Sequence, residues 1–419
     1  MKIKLQNLER KISSVVRIVG QLADKSCIPV YVVGGVVRDA LLKRSNMDLD
    51  IILEGDVASF AKNFSKEYNA KITNYPQFQT ATITLEDGFK FDIVTVRKES
   101  YAYSGALPKV TRGSLRDDLL RRDFTINAMV FSINKKSFGK IIDYAGGLKD
   151  LRAKKIRILH KKSFLDDPTR ILRAVRFEQR FNFQIEVETF KLLKEVLKNN
   201  IDHNVKPQRY FEEFKKILSE RKPKKCIQRL AALDGLRFLE CDCVYGKNVG
   251  KIFDAIEKNI IWFKKEFPNK NLEEWLIYLM VLLHQTSFDK TKAAVERFNL
   301  RKEDREKILL AKTVRKIIEK ISPESVTPYE IYKALKPLSN EAILFCRACK
   351  ASPQMRQRIE NYFKKYEDVC LAINGNELKR MGVDSGIRMG HILEEVLHRK
   401  INGEIKSHSE ELKFAESLK

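Results

Sequence analysis

Two aspartates one residue apart, Asp48 and Asp50, follow a Gly34-Gly35 pair in the run Gly34-Gly35-Val36-Val37-Arg38-Asp39. The segment Leu49-Asp50-Ile51-Ile52-Leu53 predicts a β-strand over 49–53. Residues two apart on a strand project to one side, so the two carboxylates converge. Like charges held that close oppose joint ionisation unless a cation lies between them. A hard divalent ion, Mg2+, suits such a pair together with substrate phosphates. The glycines let backbone approach a phosphate and leave N–H groups free at a helix start. Asp92, on a later predicted strand, offers a third carboxylate to the same edge. Singly these features are ordinary, since a Gly-Gly pair is usually a turn and D-x-D is common on surfaces. Their order and spacing in a β-rich stretch point to chemistry on phosphates.

The elements that must position these residues follow from periodicity. Residues 1–25 predict an amphipathic helix, with Leu5, Leu8, Ile12, Val15, Val16 and Val19 at helical spacing. Strands are predicted at 30–33, 49–53, 70–74, 79–85 and 89–96, with Asp87-Gly88 marking a hairpin between the last two. A short helix is expected from Val36 to Leu42. From about residue 150 strand signals nearly vanish and Leu/Ile/Lys/Glu periodicity takes over. That shift and weaker breaks further on suggest four parts: a catalytic α/β head at 1–145 and helical segments at 146–206, 207–325 and 326–419.

Composition narrows the partner. Lys and Arg number 80 against 55 Asp and Glu, a formal net charge of +25, which favours a polyanion through counterion release. No stretch approaches the ~18 apolar residues of a membrane span, and the N-terminus lacks a signal-peptide core, so a cytoplasmic location is expected. Seven cysteines, sparsely spread, fit reduced thiols. Cys241-x-Cys243 with Cys346-x-x-Cys349 could form a split zinc site, but the second pair follows an apolar helical run and no histidine stands at ligand spacing, so core thiols are expected.

At the glycine turn and paired aspartates the chain resembles the nucleotidyltransferase superfamily with a polymerase-β-like head. More narrowly it resembles the class II tRNA nucleotidyltransferase and bacterial poly(A) polymerase family. Four further segments carry the resemblance: Arg121-Arg122-Asp123-Phe124-Thr125-Ile126-Asn127-Ala128, Asp143-Tyr144-Ala145-Gly146-Gly147-Leu148-Lys149-Asp150-Leu151, Asp166-Asp167-Pro168-Thr169-Arg170, and Arg173-Ala174-Val175-Arg176-Phe177. The implied fold is an α/β head followed by an all-α neck, body and tail. The implied reaction is template-independent addition of nucleotides from CTP and ATP to the 3′ end of tRNA, with release of pyrophosphate.

The resemblance also implies roles. Asp48 and Asp50 would hold Mg2+, with Asp92 as a further catalytic carboxylate. Gly34, Gly35 and Arg38 would line the nucleotide site, and Arg122, Asp123 and Asn127 would read the ribose, Arg122 donating and Asp123 accepting at the 2′-hydroxyl. Asp167 and Arg170, three apart and therefore expected on one helix face, would read the base. Cytosine and adenine both present an amine beside a ring-nitrogen acceptor, whereas guanine and uracil present the reverse. Each mismatch would leave buried polar groups unpaired, at roughly 1–3 kcal/mol. Arg173 and Arg176 would face into the same site, in a stripe that runs on to Arg180. The segment from Val96 to Asp118 resembles the family's flexible loop, and its full length favours A addition. The poly(A) polymerase branch is expected to carry a Gly-basic-basic-Phe element after the catalytic strand. None occurs between 54 and 90. That favours tRNA over the polymerase, the full-length loop argues against an enzyme adding only C, and the intact Asp48 and Asp50 argue against a catalytically dead RNA-binding relative.

Overall fold

The computed structural model describes residues 2–200, 205–240, 245–349 and 352–419. Helix α1 (Arg10–Lys25) places Ile12, Val15, Val16 and Val19 in the core. It starts later than periodicity predicts. The Asn7 side chain accepts from Lys4 N (2.9 Å) and closes a tight turn over Leu5–Asn7, and the Ser13 hydroxyl donates to Leu5 O (2.9 Å). Leu5 and Leu8 still pack on the core, from outside the helix.

Next come β1 (Val30–Val33), α2 (Gly35–Leu41), β2 (Asp50–Leu53), α3 (Val57–Tyr68), β3 (Lys71–Tyr75), β4 (Thr80–Thr84) and β5 (Lys90–Thr95). A separate two-stranded hairpin, β6 (Arg97–Ser100) with β7 (Lys109–Arg112), leads to α4 (Leu115–Leu120). Then β8 (Met129–Ser132) and β9 (Ile141–Asp143) complete a seven-stranded sheet of order β3-β4-β5-β2-β1-β8-β9. The segment 96–118, expected as a loop, is therefore largely ordered as hairpin and helix. Within the sheet only β2 and β5 are parallel, and their register sets Asp50 opposite Asp92.

The head leads into α5 (Gly147–Arg152), α6 (Ser163–Asp166), α7 (Arg170–Phe181), α8 (Val187–Lys198) and α9 (Pro207–Leu218). Strand residues Val32, Ile51 and Ile93 share one apolar cluster with Ile171, Ala174 and Phe177 of α7 and with Leu193 of α8. A second, smaller cluster covers the other sheet face with Val33, Ile52, Val130, Leu115 and Leu119. The chain divides into two compact units, one of 1–220 with 225–238 and one of 221–224 with 239–419. This is coarser than the four-part division expected, because one core runs from the sheet through α8.

The second unit is helical, from Lys247–Glu266 to His408–Ser417. Its last segment has its own apolar cluster of Ile373, Leu378, Val383, Ile392, Val396 and Ala415. Cys346 is buried in the earlier helix Asn340–Cys349, and burial pushes its thiol up to about 12, whereas Cys241 and Cys243 lie outside the described residues. Among the described residues no helix is long and apolar enough to cross a membrane.

Close packing fixes the start of α5. A Cβ on Gly147 would lie 2.2 Å from Thr125 O and 2.8 Å from Met129 Cγ, so any side chain there pushes on the backbone of the 123–127 segment. Gly147→Ala is expected to cost roughly 1–3 kcal/mol in denaturant unfolding. A variant as stable as wild type would show that this contact can relax.

Candidate active site

Asp48 falls just before β2 rather than on it, yet alternation survives. Leu49 is buried while Asp48 and Asp50 turn the other way, and Leu49 O accepts from Asp92 N (3.1 Å), prolonging the ladder by one residue. Burial, then the neighbouring Asp48 charge, push the Asp50 carboxyl up to about 6, with Arg122 pulling the other way and Asp92 adding to the rise. Asp48, Asp50, Asp92 and Arg122 are thus brought together. Among the described residues no hydrogen bond or ion pair reaches the carboxylates of Asp48 or Asp50. Asp92 differs: its Oδ1 accepts from the Thr82 hydroxyl (2.6 Å).

Gly34 has φ 77° and ψ −128°, a conformation that excludes a side chain. A Cβ there would meet Arg122 Nη1 at 3.5 Å and Asp50 Oδ2 at 3.8 Å. Arg122 is aimed by Asp118, which accepts from its Nη2 (3.0 Å) and from Arg121 Nη2 (2.7 Å). Burial alone would raise the Asp118 carboxyl, but the two arginines outweigh it and hold it below its usual range. The Arg122 Nε is buried with no partner, so this guanidinium keeps donor capacity beside the aspartates.

Divalent metal fits this chemistry. Two adjacent carboxylates without donors, one of them largely buried, match a hard cation with oxygen preference. Among the described residues no three His, Cys, Asp or Glu side chains gather into a cage, as suits an ion held by one or two carboxylates plus substrate phosphates.

Other expected site residues are placed differently. Arg38 is buried; it forks onto Asp39 (2.9 and 2.8 Å), donates to Asn127 Oδ1 (2.6 Å) and stacks on Phe177 and Phe181. It is occupied by protein and reaches no open site. Asp123 and Asn127 do not share an α-helix: Thr125–Asn127 is a 3-10 turn. Asn127 donates to both Asp123 oxygens (3.0 and 3.2 Å), Phe124 N donates to Oδ1 (2.8 Å), and Arg173 donates twice to Oδ2 (2.9 and 2.5 Å). With its lone pairs so used, Asp123 cannot also accept from a ribose hydroxyl as expected.

Nor do Asp167 and Arg170 share a helix face. Asp167 ends α6 in extended conformation, whereas Arg170 begins α7. Buried Arg170 donates to the Ser163 hydroxyl (2.5 Å) and to Arg121 O (2.8 Å). Asp167 Oδ1 accepts from Thr169 N (3.1 Å), the Thr169 hydroxyl (2.7 Å) and Arg209 (3.4 Å), while Oδ2 accepts nothing among the described residues. The Thr169 contacts close a local turn after Asp167, so the helix starts only at Arg170.

The arginine stripe of α7 is braced from α9 and from Glu220, just beyond its end. Arg173 reaches Glu213 (3.4 Å), and Arg176 and Arg180 lie 3.9 and 3.5 Å from Glu220. The Arg176 Nε has no partner. Glu213, which holds Arg173, and Arg209, which holds Asp167, were both missed by the sequence reading. Their four-residue spacing just after Pro207 was the available signal.

Comparison with known proteins identifies the family of the fold. Residues 30–157 match the poly A polymerase head domain family, and 182–239 match a probable RNA and SrmB-binding site of polymerase A. The chain is 35% identical to the A-adding tRNA nucleotidyltransferase of Geobacter sulfurreducens, over 99% of this chain and 48% of that protein. It is 30% identical to the A-adding enzyme of Halalkalibacterium halodurans, over 94% of this chain and 90% of that protein. The solved Thermotoga maritima CCA-adding enzyme complexed with tRNA-CCA is similar with TM-score 0.78 and 34% identity, covering 100% of this chain and 99% of that one. An α/β head of polymerase-β-like type with a helical remainder thus defines a nucleotidyltransferase. The chain belongs to the class II tRNA nucleotidyltransferase family. Enzymes of this family generally use divalent metals. The chain spans about half the length of the Geobacter relative.

Asp50 sets a pH test. Its folded carboxyl, near 6, lies above the ordinary 3.8, so the folded protein binds that proton more tightly than the unfolded chain. The resulting stability is present below about pH 4 and is lost as pH rises through 6, by an amount on the order of 2–3 kcal/mol. Without divalent metal, Asp50→Asn is expected to be more stable than wild type at pH 7.5 and no more stable at pH 4. Adding Mg2+ should raise the wild-type melting temperature and leave the variant unmoved. Parallel pH curves would remove the repulsion from the account.

Proposed function

We propose that this protein adds nucleotides to the 3′ end of tRNA from CTP and ATP, completing CCA or its terminal A, and releases pyrophosphate. The observation that carries the reading is a linkage: Arg122 faces Asp50 across Gly34, while Arg121 O, one residue before it, accepts from Arg170. Metal-type carboxylates and a base-reading arginine are thereby joined through one short segment.

In this reading the 3′-hydroxyl oxygen of the RNA attacks the α-phosphate, forming a phosphodiester as the bond to pyrophosphate breaks. Asp48 and Asp50 would hold Mg2+, which when bound lowers the pKa of the attacking hydroxyl and neutralises charge on the phosphates. Arg122, fixed by Asp118, offers its remaining N–H groups to the triphosphate. The Asp123 carboxylate positions Arg173 and Asn127 instead of touching ribose. The Oδ2 of Asp167 accepts from the exocyclic amine of C or A, and Arg170, with a further N–H on each terminal nitrogen, donates to the ring nitrogen. Arg176, with its Nε unpaired, serves the phosphates or RNA backbone. Within the first unit we read residues 1–145 as the catalytic head and 146–206 as the neck. The body, 207–325, and tail, 326–419, would hold tRNA, consistent with the charge of +25. The names of the relatives favour tRNA over a poly(A) polymerase, and the A-adding enzymes among them favour addition of A.

The test is primer extension on tRNA ending before CCA, at C and at CC, with CTP and ATP offered singly and together. The expected result is one to three nucleotides added in Mg2+, and none by Asp48→Ala or Asp50→Ala, each still folded. Long A-tails on unrelated RNA would replace this reading with the polymerase, and an active Asp48/Asp50 double variant would end the catalytic assignment.

A further inference from the structure

The hairpin β6–β7 meets both halves of the base-reading pair. At its base, Glu99 accepts from Arg121 Nη1 (2.8 Å), and Arg121 O accepts from Arg170 (2.8 Å). Tyr101 donates to the same Glu99 (3.0 Å) and lies close enough to sense the charges of both Arg170 and Asp167. At its tip, the Ser104 hydroxyl donates to Leu165 O (2.5 Å) and Gly105 N to Asp166 O (3.4 Å), which docks the tip on the turn that ends in Asp167. Arg209 of α9 closes the arrangement. Its Nη1 donates to Gly105 O (2.8 Å) and Ala106 O (3.5 Å), and its Nη2 to Asp167 Oδ1 (3.4 Å).

We propose that Arg209 is a positioning residue for nucleotide selection, clasping the hairpin tip and the Asp167 carboxylate so that hairpin and base-reading turn move as one part. The inference deepens the selection reading above and depends on it. Its physical ground is that Asp167 and Arg170 lie on different elements, so no helix holds their spacing. The hairpin holds it instead, by Glu99–Arg121–Arg170 at one end and Arg209–Asp167 at the other. Both ends of the clasp are only partly exposed, at 28% for the Arg209 side chain and 20% for Asp167. The contact is thus less screened than an open surface pair. A planar fork can serve a carbonyl and a carboxylate at once, which a lysine ammonium cannot do with fixed geometry. With Oδ1 engaged by Thr169 and Arg209, the rotation of the carboxylate is set and Oδ2 is the oxygen left for a base amine.

The experiment compares kcat/KM for the four nucleoside triphosphates on a tRNA primer, for wild type, Arg209→Ala, Arg209→Lys, Asp167→Ala and the Arg209→Ala/Asp167→Ala pair. Arg209→Ala is expected to reduce discrimination between the cognate nucleotide and its G or U competitor by about tenfold, and Arg209→Lys by less. Because the two residues act as one unit, the double variant should discriminate no worse than Asp167→Ala. Equal slowing for all four nucleotides by Arg209→Ala, with discrimination within about twofold of wild type, would overturn the clasp while the selection reading survives through Asp167→Ala. Unchanged choice in Asp167→Ala would sink the selection reading and the clasp with it. If Arg209→Ala fails to fold by circular dichroism, Ser104→Ala, which loosens the tip alone, carries the same comparison. Its discrimination should fall short of wild type, and a wild-type value would count against coupling.

Discussion

A single buried carboxylate organises the first unit. Asp123 is almost wholly removed from water, and an ionised carboxylate in that position is tolerated only if its oxygens are fully met by donors. Burial pushes its pKa up, yet Arg173, Asn127 and further donors outweigh this and leave it near 2. The donors come from three places: the adjacent Phe124 amide, the 3-10 turn at Asn127 and helix α7 at Arg173. Asn127 in turn fixes Arg38 of α2, and Arg173 is met from α9 by Glu213. One charge thus joins the glycine turn, the ribose-motif segment, the arginine helix and the helix behind it.

That constraint sorts the arginines. Arg38 and Arg173 answer buried acids, and an aromatic wall of Phe177 and Phe181 covers Arg38. Arg122 and Arg176 are different, since each keeps a buried Nε without a partner. Burial holds the Arg176 guanidinium below its usual range, with Glu213 and Glu220 offsetting this only in part. A donor left unmet where water is scarce is costly. The cost is tolerable where a phosphate or a nucleic-acid backbone supplies the acceptor. Charge counting along the chain would have treated all four alike.

The sheet was legible because it obeys local rules. The strands at 80–84 and 90–95 follow alternation, the one at 30–33 is a continuous β-branched and aromatic run, and the Asp87-Gly88 turn links β4 to β5 as the hairpin signal required. The Asp48/Leu49/Asp50 alternation also came through, although the ladder proper starts at Asp50. What sequence did not disclose is the allocation of side chains. Asp123 is consumed by a residue 50 positions away and Arg38 by one 89 positions away, distances over which periodicity carries no information. The Asp167–Arg170 spacing suggested a shared helix face, but the Thr169 backbone and hydroxyl bind Asp167 first and delay the helix to Arg170. Segment 96–118 resembles the family's flexible loop, and its weak alternation offers no strand signal against that expectation. The pairs Arg97↔Arg112, Lys98↔Thr111 and Ser100↔Lys109 make the hairpin polar on both faces, the kind of strand whose pattern is least informative.

The contrast between Asp123 and Asp50 locates function better than motif position does. Both are acidic side chains with little solvent, and burial raises the pKa of each. Around Asp123 the fold supplies every donor and the shift reverses. Around Asp50 it supplies the carboxylates of Asp48 and Asp92, a single arginine, Arg122, and, among the described residues, no hydrogen bond, so the shift stands. A structure that saturates one buried acid but leaves Asp50 on β2 unsatisfied has a deficit that a proton or a bound cation would cancel. Natural folds accept such deficits where a ligand completes them. The stability lost at Asp50 is therefore coupled to affinity at the same point: whatever relieves the repulsion of Asp48 and Asp50 is bound by that relief.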